Sequence, residues 1–470
     1  MSSTEISDLS ALTRDQALAP TVTERRTLTP LPYMLMWTGD GVNMGNMAIG
    51  GSMVVLGVAT LNLLQSIVAM VVAITLIAFI FVFNDRAGYK LGIPYPMHLK
   101  ISFGDKGNAI SSLLRGVPAI IWYGIQTWIG GTALNEIVKI VTGNAFNNVA
   151  ICFVVLMVAQ IVLSIFKFHS IKWVTALATI VIMAALIYIF VLLLKDYSGV
   201  IVTKWIDARG SWGVTFFGFI MVLLGNYAAI FLSAADYSRE LKPGIANTKR
   251  FFIYFTPIML SYGFVIMVGV MLASATGITN PASAIAAVLK DPVITVITSV
   301  FIVIATLSTN MVANIVTPTY VIQLLSRSKL NYKVAVIITG LLAMVSFPWL
   351  LDAQTSARGL DDFVLIYSAF LGPILAVLLV EYYLLRKQQV DITDLYKVHG
   401  LFSGYNPNAL IAIGIGAFFA FTFVELAWII GFITAGISYF LLMKYAFKDS
   451  QFKLGTIFQS VPKEASKSRR

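Results

Sequence analysis

Long apolar runs alternate with short polar segments along almost the whole chain. A bilayer crossing by a helix needs about 20 predominantly apolar residues, and most of the runs reach that length. The pattern predicts twelve transmembrane helices, at approximately residues 31–59, 62–84, 112–139, 147–166, 170–195, 211–235, 251–275, 292–323, 334–351, 362–385, 408–424 and 427–446. The predicted fold class is therefore all-α and membrane-embedded.

The first apolar run contains a polar, glycine-rich insert near its middle. The segment MWTGDGVNMGNMAIGG, residues 36–51, carries one Asp, two Asn and five Gly. Irregular backbone at mid-membrane is tolerated only where it is buried in protein or lines a cavity. We therefore interpret the first helix as broken, with the break lining a polar site inside the membrane.

A second interruption is predicted in the sixth run, GFIMVLLGNYAAIFLSAADYSRE, where Gly225 and Asn226 stand among apolar residues. Breaks in the first and sixth helices are typical of a five-plus-five inverted repeat, in which broken helices bind substrate and ion near the midplane. The predicted division is an N-terminal tail over 1–30, repeats over 31–195 and 211–385, two additional helices over 408–446, and a basic C-terminal tail over 447–470. The halves share no clear residue-level similarity, so position alone supports the repeat.

The segment between the second and third runs, residues 85–111, is predicted to be an irregular loop. Gly88, Gly92, Pro94 and Pro96 fall within it, and these residues punctuate or end regular structure.

Composition and charge agree with a polytopic membrane protein. The chain is 58% hydrophobic and 12% charged, against roughly 45–50% and 25% in soluble domains. Its net charge of +11 could suggest a nucleic-acid partner. However, about 27 of the basic residues fall on the side of both termini and about six on the other. Because cytoplasmic loops carry an excess of Lys and Arg, we expect cytoplasmic termini and no nucleic-acid partner.

Other function classes find little support in the residues. The first thirty residues lack the apolar core of a cleavable signal peptide. Cys152 is the only cysteine, so no intrachain disulfide can form. His98, His169 and His399 fall in predicted loops far apart in sequence. Nothing resembles a metal centre, a nucleophile with its base or a phosphate-binding loop, so we expect no enzyme and no cofactor.

The third run, WYGIQTWIGGTALNEI, places Trp122, Gln126 and Ile129 on one helix face. An aromatic face and an amide that both donates and accepts would suit a flat heteroaromatic ring. The alternative is that Trp122 faces lipid or the helix core. A glutamine at mid-span is costly unless satisfied, which favours a binding site.

The eighth run, ATLSTNMVANIVTPTY, clusters Ser308, Thr309, Asn310 and Asn314 among apolar residues. Hydroxyl oxygens are hard ligands suited to a small cation, and Asn314 lies one turn beyond Asn310 on the same face. Hydrogen bonding between helices is the alternative role for such residues in membranes.

Four acidic residues need separate interpretation. Asp40 lies at mid-span, where an ionised carboxylate is expensive and by default functional. It could be protonated and coupled to proton movement, pair with a cation, bind substrate, or cap the broken helix end. Glu136 and Glu381 lie nearer helix ends and are expected to be interfacial or ion-paired. Asp236 is expected in a charge cluster at a cytoplasmic helix end.

Three segments together carry a resemblance to a known family. They are WYGIQTWIG in the third helix, STNMVANIVTPTY in the eighth, and LGPILAVLLVEYYLLRKQQVDITDLY in the tenth and the following loop. With these in order, the chain resembles the nucleobase:cation symporter-1 family from Thr29 to Tyr396. The family carries nucleobases, hydantoins, allantoin and related rings. The resemblance implies a LeuT-like five-plus-five inverted repeat with broken helices 1 and 6, plus two further helices.

The resemblance also implies roles for individual residues at matching motif positions. Trp122 would stack on the substrate ring, with Gln126 and Asn314 hydrogen-bonding its edge. Tyr227 falls where hydantoin carriers of the family have Trp, and would form the other side of an aromatic sandwich.

Further implied contacts lie in the first, sixth and eighth helices. Asn43 falls where relatives have Gln or Asn beside the substrate, and Gly225 would offer its backbone. The implied sodium ligands are the carbonyls of Gly39, Val42 and Ala305 and the hydroxyls of Ser308 and Thr309. Several members have no acid at the position of Asp40, which leaves a proton as the alternative coupling ion and makes Asp40 a further candidate for substrate binding.

We therefore predict a secondary active transporter that imports a nucleobase-like or hydantoin-like heterocycle by cation symport. It is expected to act as a monomer in the cell membrane, with the lipid bilayer, a small heterocycle and sodium or a proton as partners. Two alternatives remain: an amino-acid symporter of the same architecture, and a permease for thiamine or another pyrimidine vitamin.

Overall fold

The computed structural model describes residues 18–54, 61–165, 171–205, 210, 212–326, 329–351, 359–397, 399–447 and 450–459. This part of the chain is helical, and its β-structure is limited to one bridge between Leu28 and Leu241. Seven of its helices are long and apolar enough to cross a membrane, and two apolar helices are shorter. The all-α prediction is confirmed, whereas the count of twelve crossings stays a prediction.

The helices in chain order are α1 Pro30–Gly41, α2 Met44–Ser52, α3 Leu63–Asn84, α4 Arg86–Leu91, α5 Tyr95–Val141, α6 Val149–Ile165, α7 Ile171–Asp196, α8 Ser198–Trp205, α9 Val214–Leu232, α10 Ala234–Ser238, α11 Asn247–Ile258, α12 Phe264–Thr276, α13 Pro281–Val288, α14 Pro292–Thr309, α15 Val316–Leu325, α16 Tyr332–Met344, α17 Gly359–Leu379, α18 Ile392–Tyr396, α19 Pro407–Thr422 and α20 Ala427–Tyr445. Three π-helical segments adjoin them, at Met259–Gly263, Asn310–Ile315 and Val380–Leu385.

The first membrane segment consists of two short helices. Helix α1 ends at Gly41, and Val42 (φ −88°, ψ 83°) and Asn43 (φ −143°, ψ 156°) leave helical geometry before α2 begins. The Asn43 side chain accepts a hydrogen bond of 2.9 Å from the Asn46 amide nitrogen and so caps α2. The last carbonyls of α1 and the first amides of α2 therefore meet inside the bundle.

The predicted break at Gly225 and Asn226 is wrong. Helix α9 runs continuously from Val214 to Leu232, and the chain leaves helical geometry only at Ser233, just before α10. An added Cβ at Gly225 would collide with the Ser368 hydroxyl of α17. Gly225 allows α9 and α17 to approach each other closely, because a side chain would not fit between them.

The predicted loop between the second and third runs is also wrong. It contains α4 and the start of α5, so His98 lies in a helix. Gly92 ends α4 at φ 74°, and Pro94 immediately precedes α5. Asp236 accepts a 2.7 Å hydrogen bond from the Tyr95 amide, so it caps α5. The interruption falls instead at Gly104 (φ 80°, ψ 170°).

The two halves of the first segment pack on different partners. Helix α1 packs against α11 and α2 packs along α12, while α5 contacts α14 and α9 contacts α3 and α17. The α19–α20 pair covers α17. The interrupted α1–α2 segment therefore lies inside the bundle.

Buried polar contacts hold the helices together at the end of the molecule where α1 begins. The Arg250 guanidinium lies 2.9 Å from the Asp85 carboxylate, and neither side chain is exposed. The Tyr254 hydroxyl donates to the second oxygen of Asp85 at 2.8 Å. At the opposite end, the Ser52 hydroxyl donates to Asp361 at 2.7 Å and joins α2 to α17.

The predictions for the two glutamates are confirmed. Glu381 is fully buried and pairs with Arg386 at 2.6 Å. Glu136 pairs with Lys139 at 3.3 Å, one helical turn away.

Candidate functional site

A cavity of about 130 Å³ lies at the interruption between α1 and α2. Residues of α5, α9, α14 and α17 form its other walls. Its polar and aromatic lining consists of Asp40, Asn43, Asn46, Arg115, Trp122, Gln126, Asn226, Tyr227, Tyr237, Thr309, Asn314 and Tyr367. Distant parts of the sequence thus meet at one polar site within an apolar bundle.

The structure brings six of the seven predicted substrate-binding residues to this cavity. They are Asp40, Asn43, Trp122, Gln126, Tyr227 and Asn314. Gly225 is the exception, because it faces α17 and its backbone belongs to a continuous helix. The backbone contact predicted for Gly225 therefore stays a prediction.

Trp122 is held on one side by the break in the first membrane segment. A Cβ at Gly45 would lie 2.8 Å from Cζ3 of the indole, so only glycine leaves room for the ring. The indole Nε1 donates to the Tyr367 hydroxyl at 3.4 Å, and the ring meets Phe363 edge-on at 5.9 Å. Gly45 and α17 together set the position of the ring.

Tyr227 and Asp40 lie close to each other on the far side of the cavity. Tyr227 is almost fully buried, and its ring centroid lies 4.7 Å from that of Tyr262. The Tyr227 hydroxyl and the Oδ2 atom of Asp40 are buried, and neither makes a hydrogen bond within the described residues. Capping is one of the alternatives for Asp40, but Asn43 caps α2. Asp40 therefore keeps unused hydrogen-bonding capacity at the cavity.

Gln126 also keeps its side-chain amide free. It is 7% exposed, lines the cavity and makes no side-chain hydrogen bond in the described part of the chain. Such an amide offers both donors and an acceptor to a ligand.

Asn310 and Asn314 differ in role although they lie one turn apart. Asn310 is fully buried and donates to Gln160 of α6 at 2.9 Å. Asn314 lines the cavity and donates to the Asn310 side chain at 2.8 Å. Asn310 therefore takes the alternative role, hydrogen bonding between helices, and it in turn orients the Asn314 side chain.

The predicted cation ligands fall into two separate groups. The Ser308 hydroxyl donates to the Ala305 carbonyl at 2.9 Å, and Thr309 lines the cavity. Gly39 borders open space, with no atom within 4 Å of an added Cβ. Within the described residues α1 makes no extended contact with α14. Gly39 and Val42 lie on the first membrane segment, beside Asp40 and Asn43, which line the same cavity as Thr309.

Five residues of the polar and aromatic lining are missing from the sequence-based assignment: Asn46, Arg115, Asn226, Tyr237 and Tyr367. Asn46 donates to the Gly41 carbonyl at 2.9 Å and accepts from Asn226 at 2.8 Å. Arg115 donates to the Ala229 carbonyl at 3.2 Å and so pairs a main-chain carbonyl in the last turn of α9. The i, i+3 spacing from Asn43 to Asn46 could have indicated that Asn46 lies at the site. Asn226 could be interpreted from sequence only as a helix breaker.

Comparison with known proteins identifies the family of this chain. The family described as permease for cytosine/purines, uracil, thiamine, allantoin matches residues 20–446. A hydantoin permease from Microbacterium maritypicum is 26% identical over 466 residues, covering 95% of this chain and 92% of the relative. An allantoin permease from Bacillus subtilis is 26% identical over 475 residues, covering 92% and 93%.

Solved structures share the fold across almost the whole chain. The inward-facing conformation of Mhp1 superposes with a TM-score of 0.80 at 24% identity, covering 97% of both chains. A closed conformation of Mhp1 with bromovinylhydantoin bound gives a TM-score of 0.74 and covers 97% and 99%. The predicted family resemblance is confirmed. The chain belongs to the family of permeases for cytosine/purines, uracil, thiamine and allantoin, and is a multi-pass membrane transporter rather than an enzyme.

Proposed function

We propose that this transporter imports a nucleobase-like or hydantoin-like heterocycle by coupling its uptake to a downhill cation. The observation that carries the proposal is the cavity at the α1–α2 interruption, where an indole, a buried phenol and free amides converge. The hydantoin and allantoin permeases among the relatives support a ring of this class.

In this proposal aromatic residues and amides divide the recognition of the ring. Trp122 supplies the face on which the ring stacks, and Tyr227 closes the opposite side. Gln126 and Asn314 hydrogen-bond the ring edge. Asn43 already uses its amide to cap α2 and to bind the Asp40 carbonyl at 3.2 Å, so it contributes through its remaining acceptor capacity.

We propose sodium as the coupling cation, with a proton as the alternative. The adjacent Ser308 hydroxyl and Ala305 carbonyl, with Thr309 beside them, offer the hard oxygen donors that sodium needs. The carbonyls of Gly39 and Val42 would complete the site when α1 approaches α14. Cation binding would then stabilise a closed arrangement of these helices. This would make binding of the cation and the substrate cooperative.

Alternating access follows from the two ends of the cavity. It extends past Arg115 towards Tyr237, the end at which α1 begins. We propose that the hydrogen bond between Ser52 and Asp361 helps to close the opposite end. We propose that both termini lie in the cytoplasm and that the protein is a monomer in the cell membrane. In that orientation this arrangement faces inward.

Uptake into proteoliposomes that contain the full chain tests the substrate site. Gln126→Ala and Asn314→Ala should each abolish saturable uptake of labelled allantoin or cytosine while the protein remains in the membrane. Asn408→Ala is a matched control, because Asn408 is fully buried and outside the cavity. Wild-type uptake by both site variants, or competition by amino acids in place of heterocycles, would contradict the proposal.

The coupling ion is tested in the same vesicles. If sodium couples, uptake should rise with sodium at fixed pH and should fall in Ser308→Ala. Uptake that ignores sodium and collapses in Asp40→Asn would instead favour proton coupling.

A further inference from the structure

We propose that the cavity selects heterocycles that carry an exocyclic amino or ureido N–H group over analogues that carry a carbonyl, an N-alkyl group or no donor at that position. The inference rests on the proposed function and specifies its substrate class. Two chains of buried amides carry it, because each has a fixed direction and each ends in a carbonyl oxygen at the cavity.

The first chain starts at the main-chain carbonyl of Gly41, which can only accept. The Asn46 atom 2.9 Å from it is therefore the NH₂ group, and the Asn46 oxygen faces Asn226. Asn226 donates to that oxygen at 2.8 Å and to the Tyr262 hydroxyl at 3.1 Å. The Tyr262 hydrogen points to the Leu223 carbonyl at 3.3 Å, so this hydroxyl acts as an acceptor towards Asn226. The Asn226 oxygen remains without a partner in the described residues and lines the cavity.

The second chain starts at the main-chain carbonyl of Leu156. Gln160 directs its NH₂ group to that carbonyl at 3.3 Å, so its oxygen faces Asn310. Asn310 donates to this oxygen at 2.9 Å and to the Tyr123 carbonyl at 3.3 Å. Its own oxygen then accepts from the Asn314 NH₂ group at 2.8 Å. Among the described residues, the Asn314 oxygen is left without a partner at the cavity.

Neither chain can reverse at low cost. Turning any one amide would place two NH₂ groups or two oxygens face to face. Gln160 and Asn310 are fully buried, so water cannot replace a lost partner there. The fold therefore presents acceptors at both Asn226 and Asn314.

The other polar groups of the lining supply both acceptors and donors. An ionised Asp40 only accepts hydrogen bonds, and its Oδ2 atom has no partner in the described residues. The Tyr227 hydroxyl is likewise unpaired there and can donate.

Arg115 directs its Nε at the Ala229 carbonyl and one Nη at the Ser233 hydroxyl, and its remaining N–H groups can still donate. Gln126 can turn its amide either way, since it makes no side-chain hydrogen bond in the described part of the chain. The two acceptors whose direction the fold fixes are therefore those of Asn226 and Asn314.

Ring chemistry then decides between related substrates. Allantoin is a hydantoin ring with an added ureido group, and cytosine has an amino group where uracil has a carbonyl. A substrate carbonyl placed against the Asn226 or Asn314 oxygen would leave two acceptors desolvated without a donor between them. Sites built to hydrogen-bond a particular group reject analogues that lack it.

Matched pairs test the inference on the purified full chain. Equilibrium binding and competitive uptake are compared for allantoin against hydantoin, and for cytosine against uracil and N4-dimethylcytosine. The member with the exocyclic N–H group should bind roughly tenfold more tightly or better. Equal or tighter binding of the members that lack this group in both sets, with uptake intact, overturns this inference and leaves the proposed function standing. If the protein binds and carries no member of any pair, the proposed function fails and the inference fails with it.

Two variants locate the preference. Asn226→Leu removes one acceptor at constant volume and should reduce the binding ratio within each pair by about fivefold or more. Asp40→Asn keeps the shape, adds a donor, and should move the ratio in the same direction. Asn408→Ala should leave the ratio unchanged. A wild-type ratio in a folded Asn226→Leu or Asp40→Asn protein overturns the assignment of the acceptors.

Discussion

Replacing Asn310 by alanine should change which ring the transporter prefers, although Asn310 does not line the cavity. In the wild type its oxygen holds the Asn314 NH₂ group at 2.8 Å. Without that oxygen the Asn314 amide is free to rotate and to present either a donor or an acceptor. The preference for donor-bearing rings at this edge should then disappear.

The magnitude follows from the hydrogen bonds that are lost. Tyr123 keeps the bond from the Thr127 hydroxyl at 2.7 Å, so its carbonyl is not orphaned. Thr127 in turn keeps the bond from Gln160 at 2.9 Å. The Gln160 oxygen and the Asn314 NH₂ group lose their partners, and each such loss costs about 1–3 kcal/mol. We expect about 2–6 kcal/mol less stability, with the lower half of this range if Asn314 finds water in the cavity.

The effect on selectivity is measured separately from the effect on stability. A donor–acceptor preference of about 1–3 kcal/mol at one edge corresponds to about 5–150-fold in affinity. The ratio of inhibition constants for allantoin and hydantoin, measured for uptake into membrane vesicles, should fall by a factor in this range. Asn408→Ala is the control, since it replaces an equally buried asparagine outside the cavity.

One result would refute this reasoning. If Asn310→Ala reaches the membrane and binds substrate with a ratio within about twofold of the wild type, Asn310 does not orient Asn314. A drop in the uptake rate alone, with the ratio preserved, would also count against it.

Three further predictions concern the ring platform and the end of the molecule at which α1 begins. Gly45→Ala would place a Cβ 2.8 Å from the Trp122 ring, so it should raise the KM for uptake several-fold; an unchanged KM would contradict the assigned ring position. Burial lowers the pKa of His98 from 6.5 to about 4. The unfolded chain therefore binds this proton more readily, and stability present above pH 6.5 should fall by up to about 3 kcal/mol on acidification to pH 4. In thermal unfolding measured across this pH range, His98→Leu should lack this loss of stability on acidification. An identical pH dependence in the variant and the wild type would refute the prediction. Arg250→Met leaves the buried Asp85 carboxylate without its cation and should cost about 3–5 kcal/mol. Adding Asp85→Asn should recover part of this loss in the same unfolding assay, and no recovery would argue against the ion pair.

Much of the membrane architecture and many of the cavity-lining residues were predictable from sequence. Apolar runs determine membrane helices because an unpaired backbone group in lipid is costly. The same cost makes mid-span polar residues such as Asp40 and Gln126 informative. Helical spacing then places Trp122 and Gln126 on one face. These inferences use only local geometry and the solvent, which is why the sequence alone supports them.

Tertiary contacts decided what local reasoning could not. Gly225 and Asn226 are poor helix formers, yet α9 continues through them because Asn46 and Tyr262 satisfy the Asn226 amide and Ser368 packs against the glycine. Proline and glycine near Pro94 mark helix ends rather than a loop, since Asp236 caps α5 from another part of the chain.

The division of labour among the polar residues was likewise a tertiary outcome. Asn43 rather than Asp40 caps α2, because the cap depends on backbone angles at the interruption. Asn310 and Asn314 share a helix face, but Asn310 is buried against α6. Its hydrogen bond to Gln160 on that helix fixes the direction of its amide. A sequence specifies which atoms can donate or accept a hydrogen bond. Which of those atoms remain unpaired at the cavity depends on neighbours brought from distant parts of the chain.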